Sequence, residues 1–125
     1  MARWIVDGLN VIGARPDGWW RDRPAAMRAL VAALEAFAET APADEVEALT
    51  VVFDGRPRDT GRAERVAVRF APVADDEIAA LAGPGVRVVT SDADLAARVR
   101  AAGAEVAGAG AFRRRVEDAA GRPRT

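Results

Sequence analysis

The 125-residue chain has no cysteine, no histidine and no lysine. Without cysteine there are no disulfides, no thiol nucleophile and no cysteine-held zinc, and the chain suits a reducing compartment. Without histidine there is no Ser-His-Asp triad. Without lysine, Gly8 and Gly13 cannot complete a P-loop, although their spacing matches one. Gly108-Ala109-Gly110 is too short and too late for a dinucleotide fingerprint. No apolar run reaches the roughly 18 residues that a membrane-spanning helix needs. The opening residues, Met1-Ala2-Arg3-Trp4-Ile5-Val6-Asp7, lack the apolar stretch of a signal peptide, so the expectation is a cytoplasmic protein with no membrane partner.

What is present is an ordinary globular composition, 50% hydrophobic and 30% charged. The length suits one domain, read as residues 1–120, with a flexible tail at 121–125. The net charge of −1 does not advertise a polyanionic partner. All 18 basic side chains are arginine, however. The guanidinium fork matches phosphate oxygens, although a GC-rich genome yields the same Arg- and Ala-rich usage.

Residues 3–6 read as a short buried strand and 7–23 as a turn-rich loop. Pro24 suits the first turn of a helix, with Asp22 just ahead of it. Met27, Leu30, Val31, Leu34 and Phe37 then recur on one helical face, and Pro42 ends the helix. Residues 49–53 are a second β-branched run, 55–65 an Arg- and Gly-rich loop, and 66–70 an alternating strand suited to a sheet edge. A short helix over 75–82 turns Ile78 and Leu81 inward and breaks at Gly83-Pro84-Gly85. A strand follows at 86–90. Ser91 is expected to cap the next helix, with Asp94 at its third position. That helix carries Leu95 and Val99 and ends at Gly103. Residues 104–107 are the last strand and 111–120 the last helix, with Phe112 and Val116 on one side. The alternation argues for an α/β fold, a mainly parallel sheet with helices on both faces. Right-handed crossovers then gather the strand C-termini on one edge.

Aspartates fall at that edge repeatedly. Asp7 follows Trp4-Ile5-Val6, Asp54 follows Val51-Val52-Phe53, and Asp92 follows Val88-Val89-Thr90-Ser91. Asp75, with Asp76 and Glu77, opens a helix, and Asp94 lies two residues past Asp92. Each has a plain structural reading as a turn residue or an N-cap. Taken together they place like charges side by side, which is costly without a cation among them. Oxygen-only ligands favour Mg²⁺ or Mn²⁺. Such ions activate water for attack on phosphorus and stabilise charge on the phosphoryl oxygens, so no histidine base is needed. Asn10 adds a neutral oxygen and an amide donor three residues after Asp7. Arg56, Arg58, Arg62 and Arg65 crowd the loop after Asp54, and Arg15, Arg21 and Arg23 flank Trp19-Trp20. Aromatic residues beside arginines suit stacking of unpaired bases; equally, the two tryptophans could cover the first helix. Arg113, Arg114 and Arg115 read as a solvated helix face paired with Glu117 and Asp118.

The motifs Ile5-Val6-Asp7-Gly8-Leu9-Asn10-Val11-Ile12, Val51-Val52-Phe53-Asp54-Gly55, Ala74-Asp75-Asp76-Glu77-Ile78, Val88-Val89-Thr90-Ser91-Asp92 and Gly103-Ala104-Glu105-Val106 together resemble the NYN domains of the PIN-like nuclease superfamily, most closely the YacP-like branch. The resemblance spans residues 4 to about 117. It implies a PIN-like three-layer sandwich with sheet order 3-2-1-4-5, and metal-dependent RNA cleavage by an acidic cluster. Asp7, Asn10, Asp75 and Asp92 look like the family's catalytic positions. Asp54 and Asp94 look like its further acids, and Leu9 stands where a tyrosine is common.

The expected function is therefore a Mg²⁺- or Mn²⁺-dependent endoribonuclease acting on single-stranded or loop RNA, leaving 5′-phosphate and 3′-hydroxyl ends. Asp7, Asp75 and Asp92 would bind the ion, Asp54 and Asp94 a second ion or its waters. Arg15, Trp19, Trp20, Arg56, Arg58, Arg62 and Arg65 would contact RNA, presented free or by the ribosome or a tRNA. The alternative is a catalytically silent RNA-binding module of the same fold. A receiver-like phosphoacceptor, with Asp54 phosphorylated and Thr90 switching, is disfavoured by the missing lysine.

Overall fold

Val6, Val51, Val52, Val88 and Val89 are wholly shielded from solvent, and they mark the centre of a five-stranded sheet. The computed structural model describes residues 2–15 and 17–121. In chain order the elements are β1 (Ala2–Asp7), α1 (Gly8–Ile12), a 3₁₀ turn (Trp19–Arg21), α2 (Arg23–Thr40), β2 (Val46–Asp54), β3 (Val66–Ala71), α3 (Ala74–Leu81), β4 (Val86–Val89), α4 (Ala93–Ala101), β5 (Glu105–Ala107) and α5 (Ala109–Gly121). The sheet order is β3-β2-β1-β4-β5, and every pairing is parallel. Parallel sheets are covered on both faces, which is why the central strands read as continuous apolar runs rather than alternating ones.

Side chains still alternate between the two faces. Trp4, Val6, Leu49, Val51 and Phe53 pack with Val11, Leu34 and Phe112, under α1, α2 and α5. Ile5, Val52 and Val88 pack with Ile78, Leu95 and Val99, under α3 and α4. The three-layer α/β sandwich expected from the sequence is the observed fold. β3 lies at the sheet edge, and residues 55–65 carry the chain from β2 to β3 without a helix.

The first long helix forms as its sequence predicts. Asp22 caps α2 by accepting from the Ala25 N–H at 3.1 Å, and Pro24 sits in the first turn. All five expected face residues are buried. Each such side chain contributes about 1.5–3 kcal/mol relative to exposure.

Three local expectations differ. The loop expected over 7–23 contains α1 and the 3₁₀ turn. Ser91 does not cap α4; Asp92 does, accepting from the Leu95 N–H at 3.0 Å. Leu81 is only partly buried, whereas Ile78 is fully so. Gly121 closes α5, and residues 122–125 of the expected tail lie outside the described residues, as does Pro16. Among the described residues no helix is long and apolar enough to cross a membrane.

The entry to α1 depends on one glycine. A Cβ on Gly8 would stand 2.5 Å from two ring carbons of Phe53 and 3.0 Å from the Val52 carbonyl oxygen. Phe53 is fully buried and cannot swing away. Gly8→Ala is therefore expected to cost about 1–3 kcal/mol, read as a lower urea midpoint with an unchanged slope.

Candidate active site

Val6 of β1 lies opposite Val51 of β2 and Val89 of β4. One residue further along, Asp7 therefore emerges at the carboxyl edge between two neighbouring strands. Open parallel sheets bind their ligands at this edge. Asp54 ends β2, Asp75 sits in the first turn of α3, and Asp92 caps α4. The topology thus brings four carboxylates from separate segments to one edge.

Their environments differ. Asp7 is only 5% exposed, and its Oδ2 accepts from the Thr90 hydroxyl at 2.9 Å. The same hydroxyl oxygen accepts from the Asp92 N–H at 3.1 Å. Thr90, itself buried, thereby joins the two acidic segments. Burial pushes the Asp7 carboxyl up to about 6; the Thr90 hydrogen bond pulls against it, and the charges of Asp75, Asp54 and Asp92 add to the rise. The Asp75 carboxyl is also raised, first by burial and then by Asp92 and Asp54, with Arg98 opposing. Arg98 is itself paired with Asp76 at 3.0 Å.

Two of the acids also serve the backbone, as their turn-and-cap reading allowed. Asp54 Oδ1 accepts from the Ala74 N–H at 2.8 Å, at the start of α3, and Asp92 does the same for α4. Both helix N-termini favour negative charge. Among the described residues, no arginine forms an ion pair with Asp7, Asp54, Asp75 or Asp92. Arg98 acts on the Asp75 carboxyl from a distance without pairing with it, so the edge carries an excess of negative charge.

This donor set fits a hard divalent cation: it is all oxygen, partly buried and, among the described residues, not ion-paired with any arginine. Among the described residues, however, no three Asp or Glu side chains are grouped closely enough to share one ion.

Asn10 and Ser91 form the adjoining wall. The Ser91 N–H donates to Asn10 Oδ1 at 2.7 Å, and the Ala109 N–H donates to Ser91 Oγ at 2.9 Å. With its oxygen so engaged, Asn10 keeps its amide N–H groups for a ligand. These are the only asparagine and the only serine in the chain. Ser91 thus serves the start of α5 rather than the cap of α4.

Other expected site residues are distributed more widely. Asp94 is exposed in the first turn of α4 and is not among the charges acting on Asp7 or Asp75. Arg56 and Arg58 follow Asp54 at the acidic edge, exposed. Arg62 and Arg65 lie at the opposite end of β3, which begins five residues before the edge, roughly 16 Å away at strand rise. There Glu35 of α2 accepts from the Arg65 N–H at 2.8 Å, and Arg62 pairs with Glu64 at 2.5 Å. Arg15 pairs with Glu117 at 2.6 Å. Trp19 is half-buried against the α1 and α2 face, while Trp20 is exposed. Of the three arginines opening α5, Arg113 pairs with Glu117 as expected but also with Asp17, and Arg115 pairs with Glu45 rather than with α5 acids.

The sequence matches the family model of the YacP-like NYN domain over residues 4–124. Two crystal structures of Rae1 (YacP) from Bacillus subtilis share the fold. One has a TM-score of 0.76 at 25% identity, covering 96% of this chain and 76% of that one. The other, a tryptophan-to-leucine variant, has a TM-score of 0.72 at 25% identity, covering 96% and 77%. No curated protein sequence matches.

Proposed function

The chain belongs to the YacP-like NYN domain family of the PIN-like nuclease superfamily, and from that premise we propose that it is a divalent-metal-dependent ribonuclease, endonucleolytic in action. The observation that carries this reading is the sheet edge that carries Asp7, Asp54, Asp75 and Asp92, none of them ion-paired with an arginine among the described residues. Carboxylates so placed raise one another's proton affinity, and a cation would relieve the repulsion.

Asp7, Asp75 and Asp92 would hold the ion, with Asp54 and Asp94 supporting a second ion or bound waters. A Mg²⁺ or Mn²⁺ ion supplies charge neutralisation at the phosphate and a nucleophilic water near neutral pH. The chain's own residues do the rest. Thr90 holds Oδ2 of Asp7 by its hydroxyl. Asn10 offers amide donors to a phosphate oxygen. Arg56 and Arg58, with no acidic partner among the described residues, position the RNA backbone, a role that carries affinity rather than sequence preference.

A second reading, a catalytically silent RNA-binding module, is favoured by one fact: among the described residues no three carboxylates are grouped for an ion as they stand. A single assay separates the two. Single-stranded RNA labelled at its 5′ end is incubated with the protein and Mn²⁺, beside Asp92→Asn and an EDTA control. Cleavage that disappears in both controls is the expected result. RNA retained intact by the wild-type protein would replace the nuclease with the binding module.

A further inference from the structure

α5 grips the segment that leads from α1 to α2. Arg113, with only 21% of its side chain exposed, donates to the carbonyls of Val11, at 3.3 Å, and Ile12, the last residues of α1. It also donates to Asp17 Oδ2 at 3.0 Å and to Glu117 Oε1 at 3.1 Å. Glu117 in turn holds Arg15 at 2.6 Å. A single helix therefore fixes the end of α1 and the chain on both sides of position 16.

That chain delivers the two tryptophans. Gly18, at φ +81°, turns the backbone, and the turn closes through Arg21 N–H to Gly18 O at 3.0 Å and Asp22 N–H to Trp19 O at 3.2 Å. Asp22 is already the cap of α2, so the turn runs without slack into a long helix. Trp19 is the anchor: it packs against the core, and the Arg23 guanidinium lies 5.4 Å over its ring. Trp20 stands edge-on to Trp19 at 6.2 Å and 85°, and is 51% exposed. Arg21 lies 5.9 Å over its ring. An exposed indole carried on a closed turn beside an anchored neighbour has less freedom to lose on binding than one on an open loop. Trp20 stands just ahead of α2, the helix that returns the chain from the carboxyl end of β1 to the beginning of the parallel β2, and so at the carboxyl-edge end of that helix.

We propose that Trp20 is a preset platform on which an unpaired RNA base stacks as the strand approaches the acidic edge, and that Arg113 is the positioning residue that presets it. The inference rests on the RNA reading above and narrows its substrate to single strands, since duplex bases are already stacked on one another. Trp19 carries the platform and does not touch RNA. Arg113 acts through the turn, and its charge is spent within the protein.

Fluorescence polarisation of a labelled single-stranded oligonucleotide, in EDTA so that no ion or turnover enters, tests this directly. Trp20→Ala is expected to weaken binding about tenfold or more, and Trp20→Phe to recover much of it. The same oligonucleotide annealed to its complement should respond little to either change. Arg113→Met should match Trp20→Ala, Arg113→Lys should not rescue because it lacks the fork, and the double variant should be no weaker than Trp20→Ala alone. Circular dichroism of each variant confirms that it is folded. Rescue by lysine, or additive losses, would overturn the positioning role. Unchanged affinity in Trp20→Ala, beside a wild type that binds and cleaves, would overturn the platform and leave the nuclease standing. A wild type that neither binds nor cleaves RNA would remove both.

Discussion

Asp7→Asn is expected to abolish RNA cleavage, by about a thousandfold or more, and yet to make the protein more stable at pH 8. Both effects come from the same buried charge. The Asp7 carboxyl is raised from 3.8 to about 6, with burial as the largest cause. A carboxyl whose folded pKa lies above its unfolded one holds its proton more tightly when folded. Its contribution to stability is fully present below pH 3.8 and is lost as the pH climbs through about 6. Above that range the folded protein carries a penalty of roughly 3 kcal/mol. Asparagine keeps an oxygen for the Thr90 hydroxyl and carries no charge, so the penalty vanishes. In thermal melts at pH 8 the variant should gain on the order of 10 °C, and the gain should disappear near pH 4. Asp75, raised in the same direction, adds to the wild-type slope. Millimolar Mn²⁺ should raise the wild-type midpoint and leave that of Asp7→Asn unmoved. A variant less stable than wild type at pH 8 would show that Asp7 is held by more than Thr90.

Thr90→Val, by contrast, should lose both activity and stability. Valine has threonine's shape without its hydroxyl. Asp7 Oδ2 loses its donor and the Asp92 N–H loses its acceptor, both in buried or half-buried positions. Leaving such groups unsatisfied costs about 1–3 kcal/mol. The hydrogen bond from Thr90 lowers the Asp7 carboxyl, so its removal lets that carboxyl rise further. The acid limb of the pH–rate profile should move to higher pH, while the rate at its plateau falls by roughly 10–100-fold. Thr90→Ser should restore most of the rate and the position of the limb. If valine merely lowers the melting temperature and leaves the limb in place, Thr90 is a core residue and nothing more.

Much of this architecture was legible because the central strands are apolar on both faces. Trp4-Ile5-Val6 and Val51-Val52-Phe53 need covering from two sides, and a carboxylate at the end of each has only the sheet edge to go to. The caps were harder. Ser91 and Asp92 are both good N-caps, and propensity does not choose between them. The choice is made by Ala109, whose N–H takes the Ser91 hydroxyl oxygen from another element. α1 was missed because five residues form barely more than one turn, with no side-chain cap of its own. It persists through tertiary packing, with Gly8 against Phe53 and Arg113 on its last carbonyls. Arg62 and Arg65 stand far from Asp54 for a related reason. Sequence proximity to Asp54 says nothing about a segment that travels back along the full length of β3.

The Thr90–Asp7 hydrogen bond closes a separation of 83 residues, and that number governs when the edge comes into being. β1 is made first, yet its neighbours, β2 and β4, come later and flank it on either side. Parallel pairings of this kind must meet their loop-closure entropy before contacts return anything, so they form slowly. During synthesis the first strand waits, with its aspartate still in water and at its ordinary acidity. The costly burial of that carboxylate is deferred until β4 docks, when most of the hydrophobic surface of β1 and β2 is in place to offset it. A chain halted before residue 86 would lack both β4 and the Thr90 hydroxyl, and so would carry an Asp7 with neither its partner nor its second flanking strand.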